Sequence, residues 1–287
     1  MAEGAQSAVD AFRVKPGSAV DLSAVDPRAT PVGPRSKADA GDDMRRLDVE
    51  LDRMQEALYA EGVGGGQRRV LLVLQGMDTA GKGGVIRHVA GMINPQGLRI
   101  ASFKKPTPQE LRHHFLWRIE REVPAPGLIG VFDRSHYEDV LVVRVERLAP
   151  EAEWRKRFDE INAFEARLAG SGVTIVKCLL HISAGEQRER LLARLDDPAK
   201  RWKYNPADLD ARANWSEYQR AYADALRRCG TEPAPWHIIP SDRKWYRDWA
   251  VARLLLETLR GLGPRFPEPT YDVETERTRL LADDRLH

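Results

Sequence analysis

The sequence predicts an α/β protein, a parallel sheet of about five strands flanked by helices on both faces, with a phosphate-binding turn after its first strand. Three observations predict it. An apolar run, Val70-Leu71-Leu72-Val73-Leu74, leads directly into the glycine-rich Gly76-Met77-Asp78-Thr79-Ala80-Gly81-Lys82-Gly83-Gly84, the arrangement of a phosphate-binding turn between a buried strand and a helix. Further short apolar-rich runs recur at 98–103, 128–132, 173–182 and 236–239, and their alternation with helices argues for a parallel sheet covered on both faces. Between them lie stretches with helical periodicity and recognisable start signals.

Taken in order, residues 1–40 are rich in Ala, Gly, Pro, Ser and Asp with little periodicity, and are expected to form an extended or partly disordered arm. The domain proper is expected over 41–263. Its first helix covers 42–60, where Met44, Leu47, Leu51, Met54 and Leu58 repeat at helical spacing. Glycines from 62 to 66 end it and lead to the first strand. Thr107-Pro108-Gln109-Glu110 reads as a capping box with Pro at the first helical position. Ser183-Ala184-Gly185-Glu186 is a second box, opening a helix that carries Leu191, Leu192 and Leu195. Asn205-Pro206-Ala207-Asp208 starts a further helical region running to about Arg228. The lid is expected over about 186–226, and residues 264–287 mix Pro and charge as a loosely packed tail.

Bulk properties narrow the function. With 45 basic and 43 acidic residues the net charge is only +2, so any polyanion site is local and neither nucleic acid nor membrane is an expected partner. Cys178 in an apolar run and Cys229 near a helix end suggest buried thiols in a reducing compartment. No stretch approaches ~18 apolar residues and no secretion signal opens the chain; the expected location is cytoplasmic.

The phosphate turn carries the chemistry. Backbone N–H groups around Gly76, Thr79, Ala80, Gly81, Gly83 and Gly84 would cradle phosphate oxygens, with Lys82 as a mobile cation. The usual Ser or Thr after the lysine, a Mg²⁺ ligand, is replaced by Gly83; Asp78 inside the turn is the natural substitute, since Mg²⁺ prefers hard oxygens. Asp133 ends the run at 128–132, where open α/β sheets bind ligands, so it is expected to face Asp78 across the metal. That Asp133 merely caps a following helix is the alternative, outweighed by its pairing with a turn lacking the hydroxyl. Arg190 and Arg194 lie one helical turn apart, followed by Lys200, Arg201 and Lys203. Alone they would read as a solvated basic face; after a phosphate turn they read as lid cations for a polyanion.

The phosphate turn, the segment Phe132-Asp133-Arg134-Ser135-His136-Tyr137-Glu138, and Arg201-Trp202-Lys203 with Asn205, Pro206 and Asp208 together resemble the polyphosphate kinase 2 family. The likeness extends from about Gly41 to Gly263 and includes Phe115-Leu116-Trp117-Arg118 and Ala234-Pro235-Trp236. The resemblance implies Mg²⁺-dependent phosphoryl transfer, with Mn²⁺ able to substitute, between inorganic polyphosphate and adenine nucleotides, guanine nucleotides being further candidates. It also implies a P-loop kinase fold with a helical lid, and a homo-oligomer, dimer or tetramer. Asp78 and Asp133 would hold the metal, Lys82 the polyphosphate end, and Arg134 the transferring phosphoryl oxygens. Phe103, Lys104, Arg118, Tyr137 and Glu138 would line the nucleotide site, though Phe103 reads equally well as core. Glu138 in Asp-Arg-Ser-His-Tyr-Glu resembles the subgroup acting on both nucleoside monophosphates and diphosphates. Lys105, where a small residue is more usual, departs from the pattern. An ATP-dependent kinase of the same fold and a P-loop switch without turnover are the competing readings.

Overall fold

A computed structural model of the protein describes residues 7–283. Five parallel strands form the sheet: β1 (Arg69–Gln75), β2 (Leu98–Ser102), β3 (Ile129–Asp133), β4 (Val173–His181) and β5 (Trp236–Pro240). They lie in the order β2-β3-β1-β4-β5. The helices, in chain order, are α1 (Ala8–Phe12), α2 (Lys37–Val63), α3 (Lys82–His88), α4 (Trp117–Glu120), α5 (Val142–Val145) and α6 (Glu151–Gly170). They continue with α7 (Ala184–Asp196), α8 (Ala207–Ala213), α9 (Trp215–Cys229), α10 (Lys244–Leu262) and α11 (Val273–Leu281). Helices α1, α2, α3 and α10 pack together as one group; α5, α6 and α9 form another. Val70 through Leu74 are all buried, as a central strand covered on both faces requires. Register sets the carboxyl ends level, with Leu74 beside Asp133, Ser102 beside Asp133 and Gln75 beside Leu179. Among the described residues no helix is long and apolar enough to cross a membrane.

Several boundaries move for physical reasons. Residues 7–36 carry little regular structure but are pinned to the body: Phe12, Val14, Leu22 and Val32 are buried. Val14 N–H donates to Trp236 O (2.8 Å) and Tyr246 Oη to Val32 O (2.8 Å). Gly33 has a left-handed φ of 75° and stands where a Cβ would overlap the Trp249 ring at 2.0 Å. Helix α2 starts at Lys37 because Ser36 caps it, accepting from Asp39 N–H. The capping box at Thr107 forms, with Thr107 N–H to Glu110 Oε2 at 2.7 Å and Glu110 N–H to Thr107 Oγ1 at 3.2 Å. It nucleates only the 3₁₀ turn Glu110–Arg112, since no side chain from 107 to 114 is buried to stabilise more. Ser183 accepts from Glu186 N–H, but its own N–H goes to Asp242 Oδ1 (2.8 Å) rather than back to Glu186.

The region expected as a lid divides in two. Helix α9 buries Tyr218, Ala221, Tyr222, Ala225 and Leu226 and belongs to the body. The turn Arg201–Lys203 and α8 stand further out, and Trp202, expected to pack between lid helices, is 79% exposed. In the tail, α11 has no buried residue.

Candidate active site

The phosphate turn runs from the end of β1 into α3. Its path needs left-handed backbone at Thr79 (φ 66°) and at Gly81 (φ 114°), the second a conformation that favours glycine. Lys82, first residue of α3, is buried and folds back to donate from Nζ to Gly76 O (2.7 Å) and, longer, to Met77 O (3.4 Å). Burial, then the Arg134 charge, lowers its pKa, while Asp78, Asp133 and Glu138 work the other way. One lysine thus collects the electrostatic influence of the residues that the sequence places in two separate motifs.

The second motif departs from β3. Arg134 N–H still donates to Leu74 O (3.1 Å), and Phe103 N–H to Asp133 O (3.0 Å), so the sheet itself holds Asp133 beside the phosphate turn. Arg134 then turns the chain in left-handed conformation (φ 64°), a cost of about 1–3 kcal/mol of the kind concentrated at functional sites. Its guanidinium donates to Asp78 Oδ1 (2.7 Å) and reaches Glu138 Oε2 at 3.5 Å. Burial opposes the Arg134 charge, but Glu138 and Asp78 outweigh it and raise its pKa. Glu138 has its own pKa raised by burial, against the pull of Arg134 and Lys82. With its amide nitrogen turned toward the carboxylate, Gln75 donates to Glu138 Oε1 at 3.0 Å and its oxygen accepts from Ser135. From the lid side Asp208 approaches: burial first, then the Asp78 charge, raises its pKa.

The donor set fits one Mg²⁺ ion. Asp78 and Asp133 offer carboxylate oxygens, and the Thr79 hydroxyl is buried in the turn without a partner. Among the described residues no group of three or more His, Cys, Asp or Glu could hold a metal. Two carboxylates suffice for Mg²⁺, which takes one or two and completes its shell from phosphates and water. A Cβ on Gly83 would meet nothing within 4 Å, so the missing hydroxyl there is not imposed by crowding. Two amides expected to cradle phosphate are already engaged, Ala80 N–H with Met77 O (3.0 Å) and Gly84 N–H with Gly81 O (2.9 Å); Gly76 has a φ of 149°, and a Cβ on Gly84 would fall 2.5 Å from Arg247.

Other expected residues take different places. Arg190, read as a lid cation, is buried, and every N–H is engaged: Glu186 Oε1, Thr79 O, Ala80 O, Ser241 O and Asp242 O all lie at 2.7–3.1 Å. No donor remains for a phosphate. Tyr137, read as nucleotide-binding, is fully buried; its Oη donates to Glu165 Oε1 (2.8 Å) and accepts from Lys177 Nζ (2.7 Å). Lys177 also binds Glu165 Oε2 (2.6 Å) and Cys229 O (2.7 Å), and His136 contacts Glu165 Oε1 (3.1 Å). This cluster underlies the 3₁₀ turn His136–Asp139 that presents Glu138. Arg194 donates to Lys203 O (3.0 Å) and lies 3.5 Å from Asp208; Arg201 donates to Leu195 O (2.8 Å), and Lys200 pairs with Asp197 (2.7 Å). These bonds knit the lid, and Lys203 lies over the exposed Trp202 ring.

Phe103 is core, edge-on to Phe132 at 4.9 Å. Arg118 covers it at 5.6 Å and donates to Lys104 O (2.7 Å) while the Lys104 side chain stays exposed. Arg118 lines two clefts, one of about 320 Å³ with Phe103 and Trp117, the other of about 470 Å³ with Phe115 and Lys156. The buried residues that sequence reading passed over, Gln75, Lys177, Glu165, Gln187 and Arg247, carry no local pattern; they are single polar letters in runs that read as helix or strand.

A lysine at a P-loop, encircled by carboxylates and an arginine at the carboxyl ends of two adjacent parallel strands, defines a phosphotransferase of the P-loop kinase fold. The chain belongs to the polyphosphate kinase 2 family, whose model matches residues 35–266. It is 48% identical over 272 residues to an AMP/ADP-polyphosphate phosphotransferase of Meiothermus ruber, spanning 95% of this chain and 99% of that protein. An ADP-polyphosphate phosphotransferase of Rhodopseudomonas palustris is 41% identical over 271 residues, 90% of this chain and 92% of that one. The crystal structure of polyphosphate kinase 2 from Arthrobacter aurescens TC1 superposes with a TM-score of 0.94 at 48% identity, covering 98% of this chain and 99% of that one.

Proposed function

We propose that the protein transfers the terminal phosphoryl group of inorganic polyphosphate to AMP and to ADP. The observation that carries this reading is Lys82, folded into the phosphate turn at 2.7 Å from Gly76 O, with Arg134 paired to Asp78 of the turn at 2.7 Å and Asp133 at the end of the adjacent strand. The names of the Meiothermus and Rhodopseudomonas relatives support the substrate pair. A P-loop switch protein would have little use for the cationic lid, and an ATP-dependent kinase would need a second nucleoside pocket.

An oxygen of the acceptor's terminal phosphate attacks the terminal phosphorus of polyphosphate. The new P–O bond forms as the bridging P–O bond to the next unit breaks, and the shortened polyphosphate leaves with the bridging oxygen. That attacking oxygen is already ionised near neutral pH, so no side chain is required as a general base; positioning and charge neutralisation remain. Loop amides and Lys82 hold the polyphosphate end, Lys82 exchanging its bonds to Gly76 O and Met77 O for phosphate oxygens. Arg134, released in part from Asp78, meets the equatorial oxygens as charge redistributes. Asp78 and Asp133 would hold Mg²⁺, which would neutralise phosphate charge further. Arg118 orients the acceptor, while Lys200 and Lys203, both exposed on the lid, follow the chain of anionic units. Polyphosphate bears about one negative charge per unit, so spaced cations suit it.

The test is ATP formation from ADP, and ADP formation from AMP, with polyphosphate and Mg²⁺ as the only other reagents. Absence of both products, with ATP accepted as donor to another nucleotide, would assign the protein to the ATP-dependent kinases instead.

A further inference from the structure

Three consecutive carbonyl oxygens of the phosphate turn are taken by buried side chains from other elements. Gln187 Nε2 donates to Asp78 O (3.2 Å), Arg190 Nη1 to Thr79 O (2.9 Å) and Ala80 O (3.1 Å), and Arg247 Nη1 to Ala80 O (3.3 Å). Gln187 and Arg190, three residues apart, share one face of α7; Arg247 comes from α10. None is more than 8% exposed. Each is itself held. Arg190 also donates to Ser241 O and Asp242 O, and Arg247 is gripped by Asp248 Oδ1 at 2.9 and 2.7 Å. Gln187 Oε1 accepts from Arg212 Nη1 of α8 at 3.1 Å. Arg247 packs so closely under the turn that a Cβ on Gly81 would fall 1.8 Å from its Nη1.

In a trans peptide the carbonyl and the following N–H point in opposite directions. Fixing the oxygens of residues 78–80 outward therefore turns the N–H groups of Thr79, Ala80 and Gly81 away from the guanidiniums. Ala80 N–H closes the turn on Met77 O (3.0 Å), so of the three only those of Thr79 and Gly81 are left for the turn to present to an anion. We infer that Gln187, Arg190 and Arg247 form a carbonyl clamp that holds these amide dipoles in phosphate-accepting orientation before phosphate arrives. They are positioning residues; none needs to touch the substrate. Through Arg212 the clamp is tied to α8, so the lid and the phosphate turn share one hydrogen-bonded frame. The inference rests on the phosphotransferase reading of the turn.

The test uses the full chain, with tripolyphosphate and AMP as probes in titration calorimetry. Gln187→Met keeps length and apolar packing but loses the donor to Asp78 O; Arg190→Lys keeps the charge but cannot span Thr79, Ala80 and Ser241. In either variant the tripolyphosphate Kd should rise roughly tenfold, the order expected for one hydrogen bond in a charged site. AMP affinity should be unchanged, and KM for polyphosphate should rise more than kcat falls. A folded variant that binds tripolyphosphate as tightly as the wild type, or that loses both ligands equally, overturns the clamp. If Gln187→Met does not fold, Arg190→Lys decides. Wild-type protein that fails to bind tripolyphosphate at all would overturn the phosphotransferase reading, and the clamp with it.

Discussion

Lys177→Met should be the most costly single substitution outside the reacting groups. The ammonium is fully buried and spends its three N–H bonds on Tyr137 Oη, Glu165 Oε2 and Cys229 O, at 2.6–2.7 Å. Glu165 is equally enclosed, and the positive charge of Lys177 is what offsets its burial. Methionine fills nearly the same volume, so little of the loss comes from a cavity; it comes from an abandoned carboxylate. Removing one partner of a buried ion pair costs about 3–5 kcal/mol. For a urea m-value of about 2–3 kcal/mol per M, that moves the unfolding midpoint by about 1–2.5 M. Lys177→Met/Glu165→Gln removes the stranded charge but keeps an amide oxygen for Tyr137 Oη and His136 Nε2. It should recover about 2–3 kcal/mol of the loss. Because Tyr137 and His136 lie in the turn that presents Glu138, kcat of the single variant should fall even at temperatures where it is folded. A single-variant cost below about 1 kcal/mol, or a double variant no more stable than the single, would refute the account of the network as charge-dominated.

Asp78→Asn and Asp133→Asn should each lower polyphosphate-dependent turnover by orders of magnitude with melting little changed; near-wild-type activity of either at low Mg²⁺ would rule out the paired-carboxylate metal site. Glu138→Asn should lose at least about tenfold in activity with AMP, some 1.4 kcal/mol in barrier, while keeping most activity with ADP. An unchanged ratio between the two acceptors in steady-state assays would remove Glu138 from acceptor selection. Lys203→Ala should weaken polyphosphate use more than nucleotide binding, and increasingly so at low salt, where screening is weaker; a salt-independent loss would count against it. Burial on β5 lowers the His237 pKa from 6.5 to about 4. The unfolded chain therefore takes up a proton that the fold refuses, so this contribution is complete above pH 6.5 and is lost as pH falls toward 4. It amounts to about 3 kcal/mol. Urea unfolding of His237→Gln should show a flatter acid limb, and a limb identical to the wild type's would exclude the histidine.

The sequence by itself determined the sheet, the phosphate turn and the place of Asp133, because these depend on local rules. A buried parallel strand is predominantly apolar, a turn around phosphate needs glycines, and the carboxyl ends of the strands are where open sheets bind ligands. Register alone then carries Asp133 alongside Leu74 and the start of the turn. Helix signals were legible too, but not how far each helix runs. The box at Thr107 forms and stops, since the residues after it have no buried face to add. The composition of residues 7–36 conceals four well-spaced apolar anchors, Phe12, Val14, Leu22 and Val32, whose hold on the body depends on surfaces contributed by β5 and α10.

Only the tertiary structure decided what each polar side chain does. Arg190 and Arg194 are equivalent as letters at helical spacing, yet one is locked under the phosphate turn and the other braces the lid. Tyr137, adjacent to Glu138 in sequence, faces the opposite way into a buried ionic cluster. The physical reason is that burial and hydrogen bonding are properties of surroundings assembled from distant segments. Residues 78–80, 187, 190, 212 and 247 become one frame only when α7, α8 and α10 close around the end of β1.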